Sequence, residues 1–259
     1  LLARRRLPHT LVSLFLGAYD LEEAFPLSAR LAGNADLVLT HAKANLPALA
    51  ALGLDPAKVE VAYRGIDIAK PAPLPQKTRG LMVIAERLVS QKCTADALAA
   101  FAKVTVEFPQ ARLVVCGDGP ERQALERLAV ELCITEHAAS VGNVPQQEGL
   151  RRLAEAEVAL TMTQSPSERL PNFLKEAMLQ RCLCLTTRST GIEELIKEGE
   201  TGLLVDYADV DGAASKLVAL LCEPEAVDRI GRQAQAHVLE YFDVDRLMAE
   251  RLQRWSDLT

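Results

Sequence analysis

Apolar and polar residues along the chain form short strand-like runs that alternate with longer stretches of helical spacing. Strands are predicted at 10–16, 36–40 and 59–63, and predicted helices at 21–34 and 41–52 lie between them. Beyond residue 80 the order repeats about six times, with predicted strands at 81–85, 111–116, 140–141, 158–162, 182–186 and 202–205.

The helices predicted in this second part lie at 94–108, 121–132, 150–156, 171–180, 192–197, 210–221, 226–242 and 244–255. Such alternation indicates an α/β fold with a Rossmann-like doubly wound parallel sheet covered on both faces. Ligands of these sheets bind at the carboxyl ends of the strands. The last helix carries apolar residues spaced to pack onto another surface, namely Leu247, Met248, Leu252 and Trp255.

Three prolines at Pro71, Pro73 and Pro75 indicate a stiff connector at 70–80. We therefore expect four parts along the chain. Residues 1–69 form the end of an incomplete Rossmann-like domain, residues 70–80 a linker, residues 81–242 a complete domain, and residues 243–259 a helix that packs back towards the first domain.

Composition narrows the class of protein. The 259 residues are 49% hydrophobic and 25% charged, which is typical of a globular protein. A net charge of −6 and an aromatic content of only 4% argue against a nucleic-acid partner, which would require a basic surface.

The six cysteines show no metal-binding spacing, and we expect no metal site. Cys116, Cys182 and Cys184 lie in apolar runs and are predicted to be small core residues in a reducing compartment. No apolar run reaches the ~18 residues of a membrane span, and no signal peptide is evident. Leu1–Leu7, with three arginines among leucines, would suit a membrane surface, but the end of a surface helix is the favoured interpretation.

The segment 164–178 combines a loop, a helix start and two glutamates. Pro171 suits the first turn of a helix, so Glu168 stands just before that helix and Glu176 inside it. Free backbone N–H groups near Leu170 and Asn172 would attract phosphate. Glutamates at helix starts are also common as partners of the helix dipole, so this spacing alone does not define a site.

The run E-R-L-P-N-F-L-K-E-A-M resembles the E-x7-E motif of family 4 glycosyltransferases, which are retaining enzymes of the GT-B fold. Further blocks resemble this family in the same order, namely R-L-V-S-Q-K at 87–92, V-V-C-G-D-G-P at 114–120, S-V-G-N-V-P at 140–145, G-I-E-E-L at 191–195 and E-T-G-L-L-V at 200–205. Residues 35–67 resemble the last strand–helix–strand of the family's N-terminal domain.

The resemblance implies a role for each matching residue. Arg87 and Lys92 would neutralise a diphosphate, as two cations after a strand can do on physical grounds alone. Glu168 would hold hydroxyls of the donor sugar, and Glu176 would accept hydrogen bonds from the ribose. The remaining donor-binding residues would be Leu170 and Asn172 through backbone N–H groups, Gly142, Asn143 and Val144 around the base, and the turn glycines Gly117 and Gly119.

Several residues depart from the family pattern and leave the donor open. Glu86, Cys93, Arg169, Arg181 and Thr190 stand where the family usually has glycine. Arg169 could instead add a cation to the site. The family histidine is missing from Phe15–Asp20. His9 and His41 could replace it, although isolated surface histidines are the favoured interpretation.

These features predict a glycosyltransferase that moves a sugar from a nucleoside diphosphate sugar to a glycan or lipid-linked acceptor in cell-surface polysaccharide synthesis. No metal or other cofactor is expected. We expect a cytoplasmic protein, with peripheral contact at the inner membrane face as a further possibility. The alternative is a non-catalytic nucleotide-sugar-binding or scaffold module that retains the fold. A nicotinamide-dependent enzyme is disfavoured because Arg122 interrupts the G-x-G-x-x-G fingerprint.

Overall fold

A computed structural model describes residues 10–17, 20–21, 31–68, 74–164 and 168–258. Its N-terminal part contains a parallel three-stranded sheet of order β1-β2-β3, formed by Ser13–Leu16, Leu37–Thr40 and Val59–Val61. Helix α1 (Leu46–Ala51) follows β2. Apolar side chains of these elements, including Leu16, Val38 and Leu49, form a small core of their own.

The second part is built on a six-stranded parallel sheet of order β6-β5-β4-β7-β8-β9. Its strands in chain order are β4 (Thr78–Ala85), β5 (Arg112–Cys116), β6 (Ala138–Gly142), β7 (Ala156–Thr161), β8 (Leu183–Thr187) and β9 (Leu203–Val205). The helices are α2 (Thr94–Glu107), α3 (Arg122–Glu131), α4 (Gln146–Glu155), α5 (Asn172–Leu179), α6 (Val210–Leu221), α7 (Pro224–Tyr241) and α8 (Val244–Ser256).

Alternate side chains of β4 enter opposite cores, as the period of a strand requires. Met82 and Ile84 pack on the side of α2 and α6, whereas Val83 packs on the side of α5 and α7. The predicted doubly wound α/β fold is therefore confirmed. The sheet grows from β4 outwards in one direction through β5 and β6, and in the other through β7, β8 and β9.

Some element boundaries differ from the sequence prediction. Strand β4 begins at Thr78 rather than residue 81, because Thr78 pairs with Ala156 of β7; the Glu157 side chain also accepts a hydrogen bond from the Gly80 N–H (2.7 Å) and pairs with Arg79. Strand β6 spans Ala138–Gly142 rather than 140–141, and α4 begins at Gln146 rather than 150. The stretch at 192–197 contains a 3-10 turn (Ile192–Glu194). Most of the helix predicted at 21–34 lies outside the described residues, as does Leu1–Leu7.

The chain returns to the N-terminal sheet at its end. The Ile66 N–H donates to the Phe242 carbonyl (2.9 Å), and the Val244 N–H donates to the Ile66 carbonyl (3.1 Å). On α8, Arg254 pairs with Glu60 of β3. The expectation that the apolar residues of α8 pack onto a surface is wrong for three of the four, since Met248, Leu252 and Trp255 are 39%, 56% and 37% exposed in the described structure.

The cysteines behave as the sequence indicates. All six are free thiols; Cys116, Cys182 and Cys184 are buried, which confirms the prediction that these three are core residues.

Candidate active site

Two adjoining cavities open where the strand order of the large sheet reverses, between the carboxyl ends of β4 and β7. The larger has a volume of about 710 Å³ and the smaller about 530 Å³. Ala85, Glu86, Arg87 and Phe173 line both, so the two cavities form one cleft. This is the position at which doubly wound sheets bind ligands.

The loop after β4 supplies the cleft with two cations. Arg87 lines both cavities, and Lys92, at the end of a 3-10 turn (Ser90–Lys92), lines the larger one. The Lys92 Nζ lies 2.9 Å from the Glu168 Oε2 across this cavity. Both side chains are partly exposed, so the pair is open to exchange with a ligand.

Glycines hold this loop in place. The Leu88 N–H donates to the Asp118 carbonyl (3.0 Å), and the Gly117 N–H donates to the Gly142 carbonyl (2.8 Å). A Cβ at Gly117 would lie 1.9 Å from the Glu86 carbonyl oxygen, and one at Gly119 would lie 2.3 Å from that of Leu88. Gly117 and Gly119 allow the loop after β5 to approach the loop after β4 closely. Gly117 lines the cleft, and Gly119 does not.

The start of α5 carries most of the predicted site. Pro171 occupies the N-cap position rather than the first turn, and the helix begins at Asn172. Glu168, Leu170 and Asn172 line the larger cavity. Glu176, one turn further along α5, lines the smaller cavity with Asn143, Val144 and Gly117. Gly142 lines neither cavity; its left-handed backbone (φ 71°) turns the chain after β6.

Sequence reasoning missed several residues of the cleft. Gln146 donates from Nε2 to the Glu176 Oε1 (3.0 Å) and lines the smaller cavity. Arg64 and Lys175 line the larger cavity although neither was singled out. The apolar spacing could not reveal Lys175, because this charged residue occupies a buried position of α5 where the pattern leads one to expect an apolar side chain.

Glu86, one of the departures from glycine, lies in the floor of the cleft. Its carboxylate accepts hydrogen bonds from the Thr94 hydroxyl (3.0 Å) and the Thr161 hydroxyl (2.7 Å). Burial raises the pKa of Glu86 to about 7, against the opposing effects of these hydroxyls and of Lys92. Its charge therefore changes near neutral pH.

His41 is half-buried and lines the larger cavity, so the interpretation as an isolated surface histidine is wrong for this residue. Its ring stacks on Phe15 with 6.0 Å between centroids. Burial, followed by the charges of Arg64, Arg169 and Lys175, lowers the pKa of His41 to about 4. His9 lies outside the described residues.

Within the described residues, no group of three or more His, Cys, Asp or Glu side chains is arranged to hold a metal ion. Nor does any helix of this part combine the length and hydrophobicity needed to cross a bilayer.

The doubly wound sheet and the cation-lined cleft at its reversal point define an α/β protein suited to an anionic ligand. The model of the family "Glycosyl transferases group 1" matches residues 66–237, and the chain belongs to this family. The resemblance seen in the sequence is thereby confirmed.

Named relatives are similar over part of their length. The chain is 32% identical to N-acetyl-alpha-D-glucosaminyl L-malate synthase of Bacillus anthracis over 60% of this chain and 39% of that protein. It is 25% identical to the putative colanic acid biosynthesis glycosyltransferase WcaL of Salmonella typhimurium over 88% of this chain and 59% of that protein. The chain thus spans about two fifths to three fifths of these relatives.

Solved structures share the fold. Anabaena HepE in complex with UDP superposes with a TM-score of 0.84 at 19% identity, over 99% of this chain and 74% of that one. Staphylococcus aureus TarM, solved with fondaparinux, alpha-GlcNAc-glycerol and UDP, gives a TM-score of 0.78 at 14% identity, over 91% and 46%. At these identities the likeness concerns the fold alone.

Proposed function

We propose that this chain carries the nucleotide-sugar site of a retaining glycosyltransferase that transfers a sugar from a nucleoside diphosphate sugar to a glycan or lipid-linked acceptor. The observation that carries the proposal is that Arg87, Lys92, Glu168 and Glu176 line one cleft at the reversal point of the sheet. Family membership supports the same reaction class.

The two cavities suit the two halves of such a donor. In the larger one, Arg87 and Lys92 would bind the diphosphate and stabilise the charge that develops on the leaving group. When a phosphate oxygen replaces Glu168 as the partner of Lys92, the Glu168 carboxylate becomes available to the sugar hydroxyls. The backbone N–H groups of Leu170 and Asn172 would add donors at the helix start.

In the smaller cavity, Glu176 would accept hydrogen bonds from the ribose hydroxyls, with Gln146 holding its carboxylate in place. Asn143 and Val144 would border the base, supported by the turns at Gly142 and Gly117. Because Arg87 and Lys92 supply the neutralising charge, we propose that the donor binds without a metal ion.

The relatives support the proposed substrates. They include a GDP-mannose-dependent mannosyltransferase of Mycolicibacterium smegmatis and enzymes of colanic acid and lipopolysaccharide core biosynthesis. Only the mannosyltransferase is named with its base and sugar, so neither is assigned to this chain. We propose that the acceptor belongs to a cell-surface polysaccharide and that transfer takes place in the cytoplasm, at the inner face of the membrane.

The proposal is tested by assaying the full-length protein with common UDP-, GDP- and ADP-sugars and recording the anomeric configuration of the product by NMR. Retention is expected. In the Glu168→Gln variant, kcat should fall about 100-fold or more, because a hydrogen bond used in the transition state is lost. The control Glu131→Gln alters an exposed residue of α3.

Inversion at the anomeric carbon would refute the retaining mechanism. If the intact protein binds a nucleotide sugar but transfers nothing to any glycan or lipid acceptor, and Glu168→Gln leaves its cellular role unchanged, the scaffold alternative holds instead.

A further inference from the structure

Glu86 places a carboxyl group at the junction of the two cavities. It follows β4 directly and lines both the larger and the smaller cavity, as its neighbour Arg87 does. Under the proposed function, the base and ribose occupy the smaller cavity and the sugar occupies the larger one. The diphosphate that joins them must cross this junction, so Glu86 would lie beside the phosphates, at a position where the family usually has glycine.

Contacts from three strands and helices hold Glu86 in place. The Thr94 hydroxyl of α2 donates to its Oε1 (3.0 Å), and the Thr161 hydroxyl of β7 donates to its Oε2 (2.7 Å). The Glu86 N–H donates to the carbonyl of Cys116 in β5 (3.0 Å). Each carboxyl oxygen can make more than one hydrogen bond, so Glu86 can hold a proton and keep both threonine contacts.

Two opposite charges act on the Glu86 carboxyl group, and they are paired with each other. Burial raises the pKa of Glu86 to about 7; of the charges, Lys92 lowers this pKa and Glu168 raises it. The Lys92 Nζ lies 2.9 Å from the Glu168 Oε2. In the empty cleft, Glu86 therefore exists in both its ionised and its protonated form near neutral pH.

A bound diphosphate would shift Glu86 towards the protonated form. Each phosphate of a nucleoside diphosphate sugar carries one negative charge that does not titrate near neutral pH. When Arg87 and Lys92 bind these charges, Lys92 offsets the Glu86 carboxylate less, and an ionised carboxylate would repel the diphosphate. Protonation removes this repulsion and turns the carboxyl group into a hydrogen-bond donor.

We propose that Glu86 binds the diphosphate of the donor as a neutral carboxylic acid, which takes a proton from the buffer where it was ionised and donates a hydrogen bond to a phosphate oxygen. This inference rests on the proposed function, because it takes the diphosphate to lie at Arg87 and Lys92. It makes Glu86 a further donor-binding residue and makes donor affinity depend on pH near neutrality.

Calorimetry on the full-length protein counts the proton. UDP-glucose, GDP-mannose and ADP-glucose are titrated at pH 7 in two buffers of different ionisation enthalpy, and the difference in heat gives the protons taken up. We expect about half a proton per nucleotide sugar bound, because Glu86 is about half ionised at this pH. Between pH 6 and pH 8, the dissociation constant should rise about tenfold through Glu86.

Other titratable groups near the cleft contribute little in this range. Burial lowers the pKa of His41 to about 4 and raises that of the Cys93 thiol, so both groups stay neutral. Burial lowers the pKa of Lys175, which also lines the larger cavity, to about 8. Loss of its proton should weaken binding about twofold between pH 6 and pH 8, and this part should remain when Glu86 is replaced.

Glu86→Gln supplies a neutral donor of the same shape. In this variant the proton uptake at pH 7 should fall almost to zero, and the affinity at pH 8 should match that of the unaltered protein at pH 6 to within about twofold. Glu86→Gly removes the carboxyl group by a second route and should lose the uptake as well. The control Glu131→Gln, an exposed residue of α3, should keep it.

Binding of a nucleotide sugar without proton uptake, or an uptake that persists in Glu86→Gln or Glu86→Gly, would overturn the inference and leave the proposed function intact. If none of the three nucleotide sugars binds between pH 6 and pH 8, the inference and the proposed function both fail.

Discussion

Two residues at family glycine positions retain the backbone conformation that glycine favours. Cys93 has φ 46° and Arg181 has φ 61°, both in the left-handed region. Arg181 ends α5 in a Schellman arrangement, in which its N–H donates to the Met178 carbonyl (2.9 Å) and the Cys182 N–H donates to the Ala177 carbonyl (3.0 Å). The turn is therefore formed here by a residue with a side chain, although glycine adopts this conformation at lower cost.

Arg181→Gly should stabilise the protein by about 1 kcal/mol, because a residue with a Cβ is strained in this region. The loss of the exposed hydrogen bond from Arg181 to Gln235 (2.7 Å) offsets part of this gain. Chemical unfolding measures the change. Gly199→Ala is the opposite substitution and serves as the control, because φ is 71° there and an added Cβ meets nothing within 4 Å. This variant should lose only the free energy that the strained left-handed backbone costs a residue with a Cβ. A destabilised Arg181→Gly variant would contradict the interpretation.

Glu86 makes stability depend on pH. Burial raises its pKa from 4.5 to about 7 in the folded protein. At pH values between 4.5 and about 7, Glu86 is protonated in the folded protein but ionised in the unfolded chain. The contribution of the protonated Glu86 carboxyl to the free energy of unfolding is therefore fully present below pH 4.5 and is lost as the pH rises to about 7.

Glu86→Gln keeps the shape of the side chain without its charge. We expect the melting temperature of this variant, relative to that of the unaltered protein, to rise between pH 5 and pH 8. Thermal unfolding across this range is the measurement, with Glu131→Gln as the control. If the difference in melting temperature between the two proteins stays constant from pH 5 to pH 8, Glu86 does not titrate in this range.

At the scale of elements, the cleft depends on the close packing of the loops after β4 and β5. Gly117 and Gly119 leave no space for a side chain against the backbone of 86–88. The loop that carries Arg87 and Lys92 is fixed by this contact and by the hydrogen bonds of Thr163, whose hydroxyl donates to the Gln91 carbonyl (2.9 Å).

Gly117→Ala should displace this loop, because the new Cβ would lie 1.9 Å from the Glu86 carbonyl oxygen. We expect a loss of about 1–3 kcal/mol in stability and weaker nucleotide-sugar binding. Gly149→Ala is the matched control for stability alone, because Gly149 lines the smaller cavity; its Cβ would approach only Val144 at 4.0 Å, and alanine favours the helix. Equal stabilities of the two variants, read from chemical unfolding, would contradict this account of the loop.

The elements and the cleft differ in how far the sequence could predict them. Buried strands such as β7 and β8 are short apolar runs between helical stretches, a pattern that favours a sheet. The motifs that resemble the family place Arg87 and Glu168 after strands. Lys175 and Arg64 escaped prediction because their roles come from contacts between distant segments. The apolar residues of α8 misled because helical periodicity shows a face without showing whether anything covers it.

At the scale of the whole molecule, Glu194 joins the two domains. It lies in the 3-10 turn after β8, and its carboxylate caps the N–H groups of Lys43 and Ala44 and accepts from the Tyr63 hydroxyl. Burial, and after it this hydrogen bond, raises the pKa of Tyr63. Residues of both domains line the larger cavity, so this contact helps set the geometry of the cleft.

Glu194→Ala should cost about 2 kcal/mol, because two partly buried donors, the Ala44 N–H and the Tyr63 hydroxyl, and the exposed Lys43 N–H lose a charged acceptor. Glu193→Ala is the matched control, since Glu193 belongs to the same turn and is exposed. Limited proteolysis and thermal unfolding would report the change. If Glu194→Ala and Glu193→Ala have equal melting temperatures and equal rates of proteolysis, the Glu194 contact contributes little to holding the domains together.

The central claim is that the cleft binds a nucleoside diphosphate sugar through Arg87 and Lys92. Calorimetric titration of UDP-, GDP- and ADP-sugars onto the full-length protein tests it most directly, with Arg87→Ala and the control Arg127→Ala measured alongside. At least one nucleotide sugar should bind, and Arg87→Ala should weaken it about tenfold or more while Arg127→Ala leaves it unchanged. Absence of binding by every nucleotide sugar, or equal affinity in Arg87→Ala, would contradict the account.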